Sequence, residues 1–321
     1  MGKYDAESKK YLSVNQIFAD AFNYIIYDGE PVIKPEALKP VDTTEIAIPY
    51  GNGARVPIQK YRDTMKIWAA MEDKNAVYIL LGGEAQNKVH YAMPVRDMLY
   101  DSINYASQVD AARRSYRDGE KDAELLFEEE GLKIKLTQEE FLSGFRKEDK
   151  LIPIITSVIY FGPDEWDAPM SIHEMFDVED ERILRMIPDY RINLIAPAEI
   201  ADEDFAKFNT DLGFAMKVLK HQRDSVVEII EQSKNRKIDR ETAEFLNKVA
   251  DLKLVYTEPE EEGGVDMCKA MEDYTKKTEI IGVIKSMKFD NASSEEIIKK
   301  VLRMYDVSRE YVEELLEPVA I

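Results

Sequence analysis

Polar and apolar positions divide the chain into segments of different period. From Val14 to Ile26 the apolar residues Val14, Ile17, Phe18, Ala21, Phe22, Ile25 and Ile26 recur at helical spacing. Ser13 stands where an N-cap belongs, and Asp28-Gly29 ends the run. The three prolines between Pro31 and Pro40 predict an extended loop. Thr43 to Ile48 alternates and leads through Pro49-Tyr50-Gly51-Asn52-Gly53 into a second strand carrying Asp63, Met65, Ile67 and Ala69 on one face. Glu72-Asp73-Lys74-Asn75 is a turn, so the strand from Ala76 to Gly83 should pair back antiparallel. Met93-Pro94 opens a helix to about residue 116, with Val95, Met98, Leu99, Ser102, Ile103 and Ala106 as its inward stripe.

Further on the pattern changes twice. Residues 117–150 are charged and aperiodic, an excursion with one short helix where Thr137 and Glu140 have capping-box spacing. Leu151 to Phe161 is a near-continuous apolar run, as expected of a central strand buried on both faces. Ser171 and Glu174 repeat the capping-box spacing, and Arg191 to Ile195 is one more short strand. Apolar residues three and four apart predict helices from Asp202 to about Lys234 and from Asp239 to about Leu252. A charged linker from Glu258 to Gly264 precedes a tail with two short helices introduced by Ser293 or Ser294 and by Ser308. The expected organisation is a core over residues 1–200, a helical extension over 201–257 and a helical tail over 265–321.

Composition narrows the chemistry. The chain has 321 residues, enough for a full core, and a formal net charge of −20. That charge opposes phosphate binding, but it is unevenly placed: residues 51–100 hold seven Lys or Arg against five Asp or Glu, and residues 161–210 hold four against thirteen. One cysteine, Cys268, excludes an intrachain disulfide framework and a cysteine-based zinc site. The N-terminal residues lack the apolar run of a signal peptide and no segment has eighteen consecutive apolar residues, so a cytoplasmic protein with no membrane partner is expected. In the tail, eight basic against eleven acidic residues from position 271 favour packing or homo-oligomerisation over a DNA-reading helix pair.

The candidate chemistry sits where the two hairpin strands meet. Antiparallel pairing brings Asp63 to the far end of its partner strand, where Glu84-Ala85-Gln86 follows, and alternation puts Glu84, Gln86 and Lys88 on one side if the strand continues. Arg96, in the first helical turn, is placed to reach a phosphate or to pair with Asp97 or a sheet carboxylate. The plain structural alternative for Asp63 and Glu84 is a pair of strand-end carboxylates in solvent, or one partnered by Arg96 or Arg62. Asp20 and Asn23 lie off the helical stripe, either as an ordinary polar face or as a contribution to the site.

Four segments in order carry a resemblance: Phe18 to Tyr24; Tyr61-Arg62-Asp63; Glu84-Ala85-Gln86 followed by Met93-Pro94-Val95-Arg96; and Ile159-Tyr160-Phe161-Gly162 with Trp166. Over roughly residues 13–200 the chain resembles the Rpn family of recombination-promoting nucleases, also labelled putative transposases, of the PD-(D/E)xK superfamily. The resemblance implies an α/β fold with a restriction-endonuclease-like core, a mixed sheet flanked by helices, and a helical C-terminal extension. It implies a metal-dependent DNA endonuclease acting in recombination or on foreign DNA. Asp63, Glu84 and the carbonyl of Ala85 would hold Mg²⁺, or another divalent cation such as Mn²⁺ or Ca²⁺. Gln86 stands where the superfamily has a lysine; it orients water but carries no charge, which leaves Lys88 or Lys60 to supply one. Asp20 and Arg96 are accessory candidates. Two other readings compete: a nuclease fold that has lost catalysis and binds DNA or protein, and a true transposase, for which no third acidic residue stands out.

Overall fold

The computed structural model describes residues 3–41, 44–47, 58–61, 63–72, 75–118, 137–223, 228–229, 232–233, 236–250, 252, 265–290 and 292–316. The chain divides into two compact units, Met1–Lys220 and His221–Ile321.

The first unit is mixed α/β. Its five-stranded sheet runs in the order β1-β4-β5-β6-β7, with β1 Leu38–Pro40, β4 Thr64–Glu72, β5 Asn75–Gln86, β6 Ile154–Tyr160 and β7 Asn193–Ile195. β4 pairs antiparallel with β1 on one side and β5 on the other, whereas β5, β6 and β7 run parallel. β2 Thr44–Ala47 and β3 Ile58–Tyr61 form a separate antiparallel pair, so the first hairpin of the sequence reading does not extend the main sheet. The tip of that hairpin and most of the excursion lie outside the described residues.

β5 occupies the middle of the sheet, and Leu80 to Ala85 are all buried, including Glu84. A strand covered on both faces needs an apolar run, and β5 departs from one at the end where chemistry is wanted. Its register against β4 pairs Glu72 with Asn75 and Thr64 with Gly83, so the residue before Thr64 falls opposite Glu84. β6 continues the order: Val158 lies beside Glu84 and Tyr160 beside Gln86.

Two helices precede the sheet. α1 Lys3–Ser13 and α2 Asn15–Tyr27 are separated by Val14, an extended residue that caps α2 without a side-chain bond. Ser13 is therefore not the N-cap of α2; it closes α1, its Oγ donating to the Lys10 carbonyl at 2.6 Å. α2 ends as expected, with Asp28 at φ 50° and Gly29 at φ 90°. A Cβ on Gly29 would fall 2.3 Å from the Lys207 carbonyl, so both conformation and close approach require glycine there. The expected loop from Pro31 to Pro40 instead contains edge strand β1, where a proline costs no ladder bond because one side faces away from the sheet.

α3 Met93–Asp118 begins at the expected residue but turns a different face inward. Met93, Asp97, Tyr100, Asp101 and Ile103 are buried, while Val95 and Met98 are exposed. Asp101 tolerates burial because Thr156 Oγ1 and Tyr190 Oη each donate to it at 2.7 Å. α4 Gln138–Ser143 carries the expected capping box, Thr137 Oγ1 accepting from Glu140 and the Glu140 carboxylate accepting from the Thr137 N–H. Ser171 and Glu174 form none: Ile172 precedes a single 3-10 turn, and Glu174 accepts from the Met170 N–H at 2.7 Å. α5 Glu181–Leu184 is a short helix in the same connection.

The expected helix from Asp202 to Lys234 is broken. A 3-10 stretch spans Asp202–Lys207, and α6 Leu212–Lys220 starts only after an extended turn that Asp20 holds in place. The Asp20 carboxylate, 2 % exposed, accepts from the Asn209 N–H at 2.8 Å, the Thr210 N–H at 2.9 Å and the Thr210 hydroxyl at 2.6 Å. Asn23 likewise clasps both backbone groups of Ile33, at 2.8 and 3.0 Å.

The second unit contains α7 Arg240–Val249, the two-residue strands β8 Lys237–Ile238 and β9 Val265–Asp266 paired antiparallel, and α8 Met267–Phe289, α9 Ser294–Met304 and α10 Arg309–Leu316. Ser293 caps α9 with a full capping box, and Ser308 Oγ accepts from the Tyr311 N–H at the start of α10. The apolar faces of α8 to α10 enclose a core of Ile280, Ile284, Ile297, Ile298, Val301 and Val312. Among the described residues, no helix is long and apolar enough to cross a membrane.

Candidate active site

Asp63 and Glu84 meet at the end of the β4–β5 ladder. Asp63 Oδ2 accepts from the Ala85 N–H at 3.1 Å, and Glu84 Oε1 accepts from the Asp63 N–H at 3.4 Å. Each carboxylate thus reaches across to the neighbouring strand, where β4 has run out of ladder partners. Asp63 is 4 % exposed along its side chain and Glu84 is fully buried. Two buried carboxylates so close require compensation, since like charges in a poor dielectric oppose each other.

Two cations supply it, from two different helices. Arg96 of α3 donates from Nη2 to Glu84 Oε2 at 2.9 Å and from Nε to the Tyr100 hydroxyl at 3.1 Å. Of the partners open in the sequence, the structure pairs Arg96 with the sheet carboxylate. Burial works against the Arg96 charge, but Glu84, Tyr100 and Asp63 outweigh it and hold its pKa above the ordinary value. Burial, and then the Glu84 charge, push the Tyr100 hydroxyl up. Lys9 of α1 places Nζ 2.6 Å from Asp63 Oδ1. All four carboxylate oxygens therefore face a nitrogen donor.

Lys9 was not among the sequence candidates. α1 is brought there by contacts at long sequence separation: Ser8 Oγ donates to Asn87 Oδ1 at 2.9 Å, and Asn87 Nδ2 donates to Asp5 at 3.2 Å. Gly83 completes the seat, since a Cβ there would stand 3.0 Å from Leu12 Cδ2 and 3.1 Å from Phe18 Cε2. The one available signal was the Gly82-Gly83 pair in an otherwise bulky strand, which marks a close approach without naming what approaches.

The other candidates are placed as follows. Gln86 is the last residue of β5, half-buried, on the same face as Glu84. Lys88 lies beyond the strand in a bend, exposed, so strand alternation no longer aims it at the site. Lys60 has its backbone in β3, and its side chain lies outside the described residues, as does Arg62. Asp20 does not join the cluster; its carboxylate is committed to Asn209 and Thr210.

Asp63 also borders an open cleft of ≈ 400 Å³, lined with Thr64, Lys66, Ser13, Asn15 and Pro40 among others. Lys66 Nζ donates to the Ser13 carbonyl at 2.7 Å and to Asn15 Oδ1 at 2.5 Å, and burial lowers its pKa to about 8. The unfolded chain holds this proton up to the ordinary 10.5, so between those values the unfolded state binds more protons and the folded state gains as pH rises. Unfolding free energy should therefore climb from about pH 8 towards 10.5 by this group's contribution. Urea titrations across that range should show the slope in the wild type and its loss in Lys66→Met.

The donor set fits a hard divalent cation. Two carboxylates converge, and because the Ala85 N–H points to Asp63, its carbonyl leaves the strand on the same side. Among the described residues no three His, Cys, Asp or Glu side chains cluster as a metal cage, so such an ion would complete its shell with water, as Mg²⁺ commonly does.

Comparison with known proteins bears on a different part of the chain. Residues 134–244 match the family model described as putative transposase, YhgA-like. Over that segment the chain is similar to the YhgA-like putative transposases. The resemblance read from the sequence to this group of putative transposases is borne out there. The matched segment carries β6, the parallel neighbour of β5, and β7 beyond it, together with the Asn209-Thr210 turn that Asp20 holds. Asp63, Glu84 and Gln86 lie before it. No curated protein and no solved structure matches the chain.

Proposed function

We propose that the protein is a divalent-metal-dependent DNA endonuclease with a PD-(D/E)xK core, in keeping with the YhgA-like segment. The observation that carries this reading is the convergence of Asp63 and Glu84, with reciprocal hydrogen bonds, at the end of the β4–β5 ladder. In this reading Asp63, Glu84 and the Ala85 carbonyl hold Mg²⁺, and DNA is the partner. The bound ion would polarise the phosphate and lower the pKa of a water. The chain's own residues do the rest. Arg96 fixes the Glu84 carboxylate in its rotamer, and Gln86, on the same face, orients water through its amide. In the overall reaction a water oxygen bonds to phosphorus, one ester P–O bond breaks, and the leaving oxygen takes up a proton.

A second reading is favoured by the donor that already faces each of the four carboxylate oxygens and by the absence of a lysine at position 86. A site whose charge is already balanced by Lys9 and Arg96 also suits a fold retained for binding DNA or protein without cleavage. Supercoiled plasmid separates the two. The nuclease nicks or linearises it with Mg²⁺ or Mn²⁺ and leaves it intact in EDTA; plasmid equally intact under every condition favours the binding role.

A further inference from the structure

We propose that Lys9 is a catalytic residue of this site, a lysine that α1 supplies to the scissile phosphate in place of one at strand position 86. The inference rests on the nuclease reading above and adds to it a residue from outside the sheet.

Three observations converge on Lys9. Its Nζ lies 2.6 Å from Asp63 Oδ1, within the carboxylate cluster. Its backbone is anchored: Ser8, the neighbouring residue, is fully buried and bonded to Asn87 just past the end of β5, and Leu12, one turn on, rests on Gly83. Its ammonium has donor capacity to spare. An ammonium carries three N–H groups, Asp63 is the recorded partner of Lys9 among the described residues, and 26 % of the side chain is exposed.

The neighbouring cations are engaged differently. Arg96 is bound to both Glu84 and Tyr100. Lys66 is buried and spent on Ser13 and Asn15. Lys88 is exposed beyond the strand. Lys9 and Arg96 are the two of these four that touch a site carboxylate; Arg96 has a second nitrogen engaged on Tyr100, whereas Lys9 has Asp63 as its partner among the described residues.

Its role follows from charge. As the water oxygen bonds to phosphorus and the ester P–O bond breaks, negative charge grows on the non-bridging oxygens. Lys9 remains protonated throughout, donates an N–H to one of them and is held in aim by Asp63. No electron transfer is involved, and the leaving oxygen takes its proton from water. A positioned cationic donor of this kind is worth on the order of 100-fold in rate.

The test compares Lys9→Met, Lys9→Arg and the double variant Lys9→Met/Gln86→Lys with wild type and Asp63→Asn. Plasmid nicking is followed in Mn²⁺, and duplex binding by fluorescence anisotropy in EDTA. The expected result is a loss of about 100-fold in nicking for Lys9→Met, with recovery in Lys9→Arg or in the double variant. Duplex affinity of Lys9→Met in EDTA should fall, with a salt dependence reduced by about one ion. Wild-type nicking in Lys9→Met overturns the inference and leaves the nuclease reading intact. Loss of nicking without recovery and with unchanged duplex affinity also overturns it, assigning Lys9 to seating α1. If wild type and Asp63→Asn leave plasmid equally intact, the nuclease reading fails and this inference with it.

Discussion

Glu84→Ala is expected to cost both folding free energy and cleavage, and to cost more of each than any other single change within the carboxylate cluster. Glu84 is fully buried in the central strand, and its two oxygens meet Arg96 and the Asp63 N–H. Removing it leaves a half-buried guanidinium without its counter-ion and an unsatisfied N–H. Breaking a buried pair from one side costs about 3–5 kcal/mol; the partial exposure of Arg96 reduces this to roughly 2–3 kcal/mol. Glu84→Gln keeps the volume and an acceptor, so it should recover most of the stability and none of the cleavage. Chemical denaturation of the three proteins gives the first quantity and plasmid nicking the second. Equal stability of Glu84→Ala and wild type would show that the pair with Arg96 contributes nothing to the fold.

Asp20→Ala is the second large effect, and its signature is the reverse. The Asp20 carboxylate closes the Asn209-Thr210 turn through three hydrogen bonds of 2.6 to 2.9 Å, two of them from backbone N–H groups. Charge-assisted bonds of this kind contribute about 1.5–3 kcal/mol each, and the orphaned N–H groups add a desolvation penalty, so a loss of roughly 3–5 kcal/mol is expected. For a unit of this size that corresponds to a fall in Tm on the order of 10 °C. Below its own Tm the variant should nick plasmid at the wild-type rate. A variant that melts like wild type but fails to nick would return Asp20 to the active site.

The contrast between these two aspartate and glutamate positions shows what was legible in the sequence. The β4–β5 hairpin was, because a polar turn between two apolar runs sets the register, and the register alone puts the residue before Thr64 opposite Glu84. The Thr137 capping box and a helix start at Ser293 or Ser294 were legible because the partners lie within one turn of chain. Lys9 was not, since nothing within α1 says which strand end it will cross; Ser8 reaches Asn87 across 79 positions. The buried face of α3 does not follow its apolar residues. Asp101 lies inside, its carboxylate taken up by Thr156 and Tyr190, while Val95 and Met98 lie outside. The sequence leaves Asp20 open between an ordinary polar face and the site because its partners lie 189 and 190 positions away.

Gly83 links the fold to the proposed chemistry. Its missing side chain lets Leu12 and Phe18 sit against β5, and α1 in that seat carries Lys9 to Asp63. β5 and the residue before β4 supply the acids and α1 and α3 supply the cations, so the charge balance of the cluster depends on how these elements pack.

The most direct measurement of the central claim is the initial rate of plasmid nicking by wild type and by Asp63→Asn in the same Mn²⁺ buffer, with matched EDTA controls and thermal melts of both proteins. Asn keeps the shape of Asp63 and an acceptor for the Ala85 N–H, while it removes the charge a metal would need. The account predicts nicking by wild type that requires metal and falls by at least about 100-fold in Asp63→Asn, with both proteins folded. Nicking of equal rate in the two, or none in either, would contradict it.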